Sequence, residues 1–521
     1  MTMQGPSPRR RQLALALGTL LLFSAGAQAA STLTPWVGSW AVAQKPIGDA
    51  SPTGKTLRHI VHTSIGGSSA RVHLSNAYGD GPLTISDIHV AVSAGGSSVR
   101  PETDHLLTVN GQSSVTLAAG QEVDTDGIDM AVPALSDVDI SFYVSQAPAA
   151  LTGHDFSGQT RYDATGDVAG QATINAGASQ NYVFVTNLDV QGPAPQGAVV
   201  LLGASISNGT GSSFNENTRW SNDFAARLVN AGKNVGVINE GIAGNTLLRD
   251  GSGPSAANRF DHDVLGQPGA RWVIFSDDPI NDLGDRPIPS ADALITAEQS
   301  LITRAHNAGF RFLCSTLTPF QGSGSWSQEG ETARQKINAF IRSADSGCDG
   351  IVDQDTATHD PANPTQYLPA YDSGDHLHPN DAGHQAIANA IDLTLFTPPG
   401  QPAIAPPTGC GSIGPGEGIL PGQSVTSCDG GYRLDLQNDS NGVLYKATGA
   451  SLWTTGTYNR GAGELRLDPD GNLVVYGSLG TKLWQSSSGG HPDARLFVQG
   501  DGNLVIYDAN GPIWSSNTAG Q

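Results

Sequence analysis

Two hydrophobic periods divide the chain. Between about residues 30 and 195 apolar residues alternate with polar ones, as in Ala70-Arg-Val-His-Leu-Ser75, Leu83-Thr-Ile-Ser-Asp-Ile88 and Val138-Asp-Ile-Ser-Phe-Tyr-Val144. A period of two between turn residues predicts antiparallel strands, here an amino-terminal β-rich, sandwich-like region. After Gly192-Pro-Ala-Pro-Gln-Gly197 the pattern changes. Continuous apolar runs at 198–203, 235–239, 272–276, 311–317 and 350–353 alternate with helical faces such as Phe224/Leu228 and Ile337/Phe340/Ile341. A last helix is predicted over about 381–395. Apolar runs of this length separated by helices predict a buried parallel sheet in an α/β/α domain spanning 196–396. A Pro/Gly-rich segment, 397–425, reads as a linker.

Residues 426–521 carry an internal repeat. Gln437-Asn-Asp439-Ser-Asn441-Gly-Val443-Leu-Tyr445 is echoed from Asp468 (Asp470, Asn472, Val474, Tyr476) and from Gln499 (Asp501, Asn503, Val505, Tyr507). Trp453, Trp484 and Trp514 follow each unit at nearly the same interval. Three β units with one Trp each predict a three-fold, all-β domain around a shared Trp core.

Composition narrows the function. With 27 Lys+Arg against 48 Asp+Glu, a net charge of −21, the chain lacks the basic surface that nucleic-acid phosphates require. Arg9-Arg10-Arg11, the apolar run Leu13 to Phe23 and Ala27-Gln28-Ala29 read as a signal peptide over 1–29, cleaved after Ala29. The apolar run is too short for a membrane anchor, so the mature chain is expected to be exported, periplasmic or extracellular, without an integral membrane segment. Its four cysteines fit disulfides in an oxidising compartment. Cys314–Cys348 and Cys410–Cys428 is the simplest pairing. No His/Cys cluster has metal-ligand spacing, so neither metal nor cofactor is expected. The amino-terminal histidines (His59, His62, His73, His89, His105 and His154) show no ligand spacing and are read as structural or surface residues.

The chemistry gathers at strand ends. Ser205 follows the first apolar run, where open α/β sheets place their ligands. A serine nucleophile needs a base, an orienting carboxylate and oxyanion donors. Asp375 and His378 lie three apart in one loop before the last helix, and His378 suits the base with Asp375 as its orienter. His376, alternating with His378, is expected to point away, and His384 to lie on the helix. The adjacent Asp277 and Asp278 are read as a solvated loop. No G-x-S-x-G elbow occurs.

Four blocks, Gly203-Ala204-Ser205, Gly244 in Ile-Ala-Gly-Asn, Asn281-Asp282 and Asp375-x-x-His378, together resemble the SGNH (GDSL-type) hydrolases, secreted esterases and lipases among them. The resemblance covers about 198–396. It implies a flavodoxin-like sheet, Ser205 as nucleophile, His378 as base and Asp375 as its orienter. Oxyanion donors are implied at the Ser205 N–H, the Gly244 N–H and the Asn281 side chain. Ala204 stands where the family usually has Asp, and Pro279 where it usually has Gly.

The repeat pattern Gln-x-Asp-x-Asn-x-Val-x-Tyr resembles the bulb-type, mannose-binding lectins of β-prism form. That resemblance implies saccharide contacts from Gln437, Asp439, Asn441 and Tyr445, from Asp468, Asp470, Asn472 and Tyr476, and from Gln499, Asp501, Asn503 and Tyr507. Asp468 replaces Gln in the middle unit and costs that site its amide donors. The combined expectation is a secreted serine esterase directed to mannose-type glycans, acting on an ester substrate such as an acetylated or acylated carbohydrate. A lipase acting on acyl-lipid esters, and a lectin or adhesin with a degenerate hydrolase domain, remain alternatives.

Overall fold

The computed structural model describes residues 1–2, 35–192, 197–396, 406–458, 460, 462–477 and 482–521. The basic and apolar residues read as a signal peptide, and residues 397–405 of the expected linker, lie outside the described residues. Among those described, no helix is long and apolar enough to cross a membrane.

The amino-terminal part is built of antiparallel sheets. One contains Val37–Ala41, Val185–Gln191, Gly67–Ser75 and Ile128–Val132, with Glu122–Asp124 paired alongside. A larger sheet is centred on Lys55–His62, Asp137–Gln146 and Leu83–Gly95. Along Asp137–Gln146, Val138, Ile140, Phe142 and Val144 are wholly buried, and Asp139 and Ser141 on the other face are buried too. Both faces of this strand are therefore covered.

The α/β part has five parallel strands: β1 (Gly197–Gly203), β2 (Val235–Gly241), β3 (Ala270–Phe275), β4 (Arg311–Ser315) and β5 (Gly350–Val352). Their spatial order is β2-β1-β3-β4-β5, the flavodoxin-like order. Every residue of β1 is buried, as expected for a central strand covered on both faces. Three of the helices, Ala291–Asn307, Gln328–Ile341 and Asp381–Asn389, start on side-chain caps: Ser290 accepts from Ala293 N, Ser327 from Gly330 N and Asn380 from Gly383 N. The last helix, Asp381–Asn389, is shorter than its apolar pattern predicts. Asp392 takes the Thr394 N–H and opens a separate 3-10 turn, Leu393–Leu395.

A single apolar core runs from Val37 to Phe396. Val42 bridges Asn239 beside β2, and Gly38 N donates to Pro268 O at 3.0 Å. The change of pattern near residue 195 is thus a change of topology and not of packing.

The carboxyl-terminal part has its own core and three four-stranded sheets. Each repeat supplies three strands. The fourth comes from Gln423–Thr426 for the first repeat, Gly418–Ile419 for the second and Ser412–Ile413 for the third. The linker expectation for 397–425 is therefore corrected from 412 onward. These pieces are too short to show alternation, yet Ile413, Ile419 and Val425 enter the core at 0, 2 and 5 % exposure. The three Trp rings meet edge to face with centroids 5.3, 5.7 and 5.9 Å apart. Cys314–Cys348 and Cys410–Cys428 are both disulfide-bonded.

Candidate functional site

β1 and β3 flank the point where strand order reverses, so their carboxyl ends open a crevice. At the end of β1 the chain turns through Ala204 into a short helix, Ser205–Asn208. The Asp277 carboxylate, just beyond β3, holds that turn. It accepts from Ala204 N (3.0 Å), Ile206 N (2.7 Å), Ser207 N (3.2 Å) and Ser207 Oγ (2.7 Å). Gly203 makes the approach possible, because a Cβ there would lie 2.6 Å from Asp277 Oδ1. Asp277 is 2 % and Asp278 0 % exposed, which overturns the solvated-loop expectation for both. The reason is local: both acids sit at the buried end of a central strand, where Asp277 accepts backbone N–H groups that need acceptors, whereas neither carboxyl oxygen of Asp278 has a hydrogen-bond partner among the described residues. Burial pushes the Asp278 carboxyl up to about 7, with Arg259 opposing.

Ser205 Oγ lies 2.9 Å from His378 Nε2, and His378 Nδ1 lies 2.6 Å from Asp375 Oδ2. The other Asp375 oxygen accepts from Leu377 N and His378 N, both at 2.9 Å. Burial works to raise the Asp375 pKa, but its hydrogen bonds to His378 and to these two amides, with the His378 charge, hold it at about 2. His376 turns away through a left-handed backbone (φ 62°) onto Asp372, 2.5 Å distant. His384 is buried in the helix with Nε2 3.2 Å from Thr210 O, and burial pushes its pKa down to about 4.

The loop after β2 carries Gly244 in the left-handed region, φ 76°. Its placement depends on the helix Asp278–Gly284. Asn281 Nδ2 donates to Asn245 O at 2.8 Å, and Asp282 accepts from Leu247 N at 2.6 Å. One amide hydrogen of Asn281 is thereby committed to the loop and the second is left for another acceptor. Pro279 stands in the first turn of this helix, where a missing N–H breaks no helical bond.

Arg259 was invisible in the sequence. It is 3 % exposed and donates to Gly203 O at the end of β1, Glu240 O near the end of β2, and Asn245 Oδ1 in the Gly244 loop. The helix face Ala256/Arg259/Phe260, a charge between apolar neighbours, is the only signal the sequence offered. His154 also reaches this region from the amino-terminal sheets: its Nε2 lies 2.9 Å from Asn208 Oδ1, on the Ser205 helix.

The three repeats share one hairpin, closed by Gln437 N to Asn441 O (2.9 Å), Asp468 N to Asn472 O (2.8 Å) and Gln499 N to Asn503 O (2.9 Å). Within each, the Asp caps its own turn: Asp439, Asp470 and Asp501 accept from Asn441 N, Asn472 N and Asn503 N. In the outer repeats the Gln amide donates to the Tyr hydroxyl, Gln437 to Tyr445 at 3.0 Å and Gln499 to Tyr507 at 3.1 Å. In the middle repeat the direction reverses, because Tyr476 donates to Asp468 at 2.5 Å. Arg466 also binds Asp468 and lies over the Tyr476 ring. Asp468, Asn472 and Tyr476 are all buried. Gln499 and Tyr507 instead line an open concavity of about 560 Å³ beside Phe497 and the Cys410–Cys428 bridge.

Residues 201–386 match the family model described as GDSL-like Lipase/Acylhydrolase family. Comparison with curated proteins finds no match. Among solved structures, an α/β hydrolase enzyme from the metagenome of Lake Arreo, Spain, is 21 % identical over 39 % of this chain and 96 % of its own, with a TM-score of 0.30. A monomeric monocot mannose-binding lectin from Gastrodia elata is 34 % identical over 21 % of this chain and 97 % of its own, with a TM-score of 0.19. The mannose-specific agglutinin of snowdrop (Galanthus nivalis) bulbs is 31 % identical over 19 % and 90 %, with a TM-score of 0.18. Residues 201–386 are thus similar to the GDSL-like lipase/acylhydrolase family, and the carboxyl-terminal part is similar to mannose-binding lectins.

Proposed function

We propose that the chain is an exported serine esterase that cleaves carboxylic esters and carries a saccharide-binding module. The observation that carries this reading is the unbroken chain Ser205 Oγ–His378 Nε2, His378 Nδ1–Asp375 Oδ2, at 2.9 and 2.6 Å. Ser205 Oγ attacks the ester carbonyl and passes its proton to His378 Nε2. Asp375 fixes the imidazole so that Nδ1 carries its proton and Nε2 is free to accept. The tetrahedral oxyanion rests on the Ser205 and Gly244 N–H groups and the remaining Asn281 amide hydrogen. His378 then protonates the leaving alkoxide, and the C–O bond breaks to give the acyl-serine. Water, deprotonated by His378, releases the acid and restores Ser205. Asp277 acts as a positioning residue by holding the turn on which Ser205 stands.

The pairing with saccharide motifs favours esters carried on glycans, acetyl groups among them. The test is Ser205→Ala. It is expected to abolish hydrolysis of a short-chain chromogenic ester and labelling by a fluorophosphonate, with circular dichroism unchanged. Retained turnover in a folded Ser205→Ala protein would overturn the assignment. Release of acetate from an acetylated polysaccharide, faster than from the same sugar's soluble monoacetate, is the result expected for the glycan-ester reading.

A further inference from the structure

A second cavity, of about 340 Å³, lies where all three parts of the chain meet. It sits at the low end of the usual range for small-ligand sites, about 300–1000 Å³. Arg71 and His73, Asn187 and Asp189, and Glu122 and Asp124 face it from neighbouring strands of one amino-terminal sheet. Glu240 of β2 and the His262/Asp263 turn close another side, and Asn438, Asp439 and Tyr458 of the first repeat contribute the rim. Asn438 Nδ2 donates to Asp124 Oδ2 at 2.7 Å, which seats the repeat against the sheet.

Two features set the chemistry of an occupant. The charges are already paired: Arg71 with Asp124 and Asp189 at 2.9 Å each, His73 with Asp124 at 2.7 Å, and His262 with Asp263 at 2.7 Å and Glu122 at 3.1 Å. A charged ligand would have to break these pairs. By contrast, three oxygens of lining residues are buried and have no hydrogen-bond partner among the described residues: Thr186 Oγ1, Asp189 Oδ1 and Glu240 Oε1. Their residues are 5, 0 and 1 % exposed. Burial pushes the Glu240 carboxyl well up, toward the neutral acid that both donates and accepts. Groups that need donors and acceptors together, beside cations that are already paired, match vicinal hydroxyls. At the rim the Tyr458 ring is 62 % exposed, a flat apolar face of the kind on which the C–H side of a pyranose stacks.

We infer that this junction cavity binds one or two neutral pyranose units, in a composite site that neither the carboxyl-terminal part nor the hydrolase part forms alone. The inference rests on the saccharide reading of the repeats only for its choice of probe. The test uses the full chain with the open third-repeat concavity disabled by Gln499→Ala and Tyr507→Ala. Calorimetric titration with methyl α-D-mannoside, mannobiose and the corresponding methyl glucoside and galactoside is expected to retain one site per chain. Thr186→Val, which removes only an unpartnered hydroxyl, and Tyr458→Ala, at the exposed rim, are each expected to weaken that site at least tenfold while leaving chromogenic ester hydrolysis unchanged. No binding by any of the four probes, or binding that both variants leave unchanged, would overturn the inference. Failure of the third-repeat reading has a different signature: Gln499→Ala and wild type would then bind all four probes alike.

Discussion

The carboxylate of Asp277 accepts the backbone N–H of Ala204 at 3.0 Å. The turn that carries Ser205 is thus braced by an acid from the end of β3. Asp277 supports three backbone N–H groups and one hydroxyl at once. Asp277→Ala is expected to lower kcat at least about tenfold with little change in KM. It should also lower Tm, because each buried N–H left without an acceptor costs about 1–3 kcal/mol. Asp277→Asn keeps one accepting oxygen and should fall between. Steady-state kinetics with a chromogenic ester and a thermal melt on the same samples check both expectations.

Asp375 is more exposed than the histidine it holds, 52 % against 14 % for the side chains, yet it takes two amides as well as the ring. Asp375→Asn places an amide donor against Nδ1 and favours the wrong tautomer, so kcat is expected to drop by at least about 10². Because the acid stays ionised down to about pH 2, the wild-type acid limb should not report this carboxyl. A pH–rate profile of kcat checks this.

Glu298 offers a pH prediction away from the site. It is 2 % exposed in the helix Ala291–Asn307, one of its oxygens has no partner among the described residues, and burial pushes its pKa to about 8. Between the ordinary carboxylate range, about 4.3, and pH 8 the folded chain holds this proton while the unfolded chain releases it. Stability from this group is therefore full at low pH and lost as pH rises toward 8. Glu298→Gln should match wild type near pH 4 and exceed it by a growing margin up to pH 8, with a constant margin above. Tm measured across that range checks the trend.

The repeats should not bind alike. Retention of the full chain on immobilised mannose is expected to fall when Gln499→Ala or Tyr507→Ala alters the open third repeat. It should be unchanged by Asn472→Asp in the middle repeat, whose motif is buried behind Arg466. Restoring glutamine by Asp468→Gln would leave Arg466 paired with Glu464 and Tyr476 still covered, so no gain in retention is expected.

Legibility in the sequence followed the range of the interaction. Apolar runs marked the parallel strands, and the residues singled out at their ends, Ser205, Asp375 and His378, do lie in contact. The 31-residue spacing of the repeats announced the Trp trio. What escaped was held by partners distant in sequence. Asp277 and Arg259 act on backbone groups of other strands, and an isolated acid or base gives no period from which to read such a role. The strands at 412–426 escaped because two to four residues are too few to show alternation.

The continuous core from Val37 to Phe396 has a practical corollary. A fragment beginning at residue 196 would expose the side of β2 that Val37–Ala41 now covers and lose the His154 contact to the Ser205 helix, so it should aggregate or lie idle. The carboxyl-terminal part, with its own core, is the piece that can be cut away or exchanged. In a calorimeter the full chain should melt in two steps. The step belonging to residues 35–396 should survive deletion of the repeats almost unshifted, and the hydrolase should accept a different binding module more readily than a different amino-terminal half.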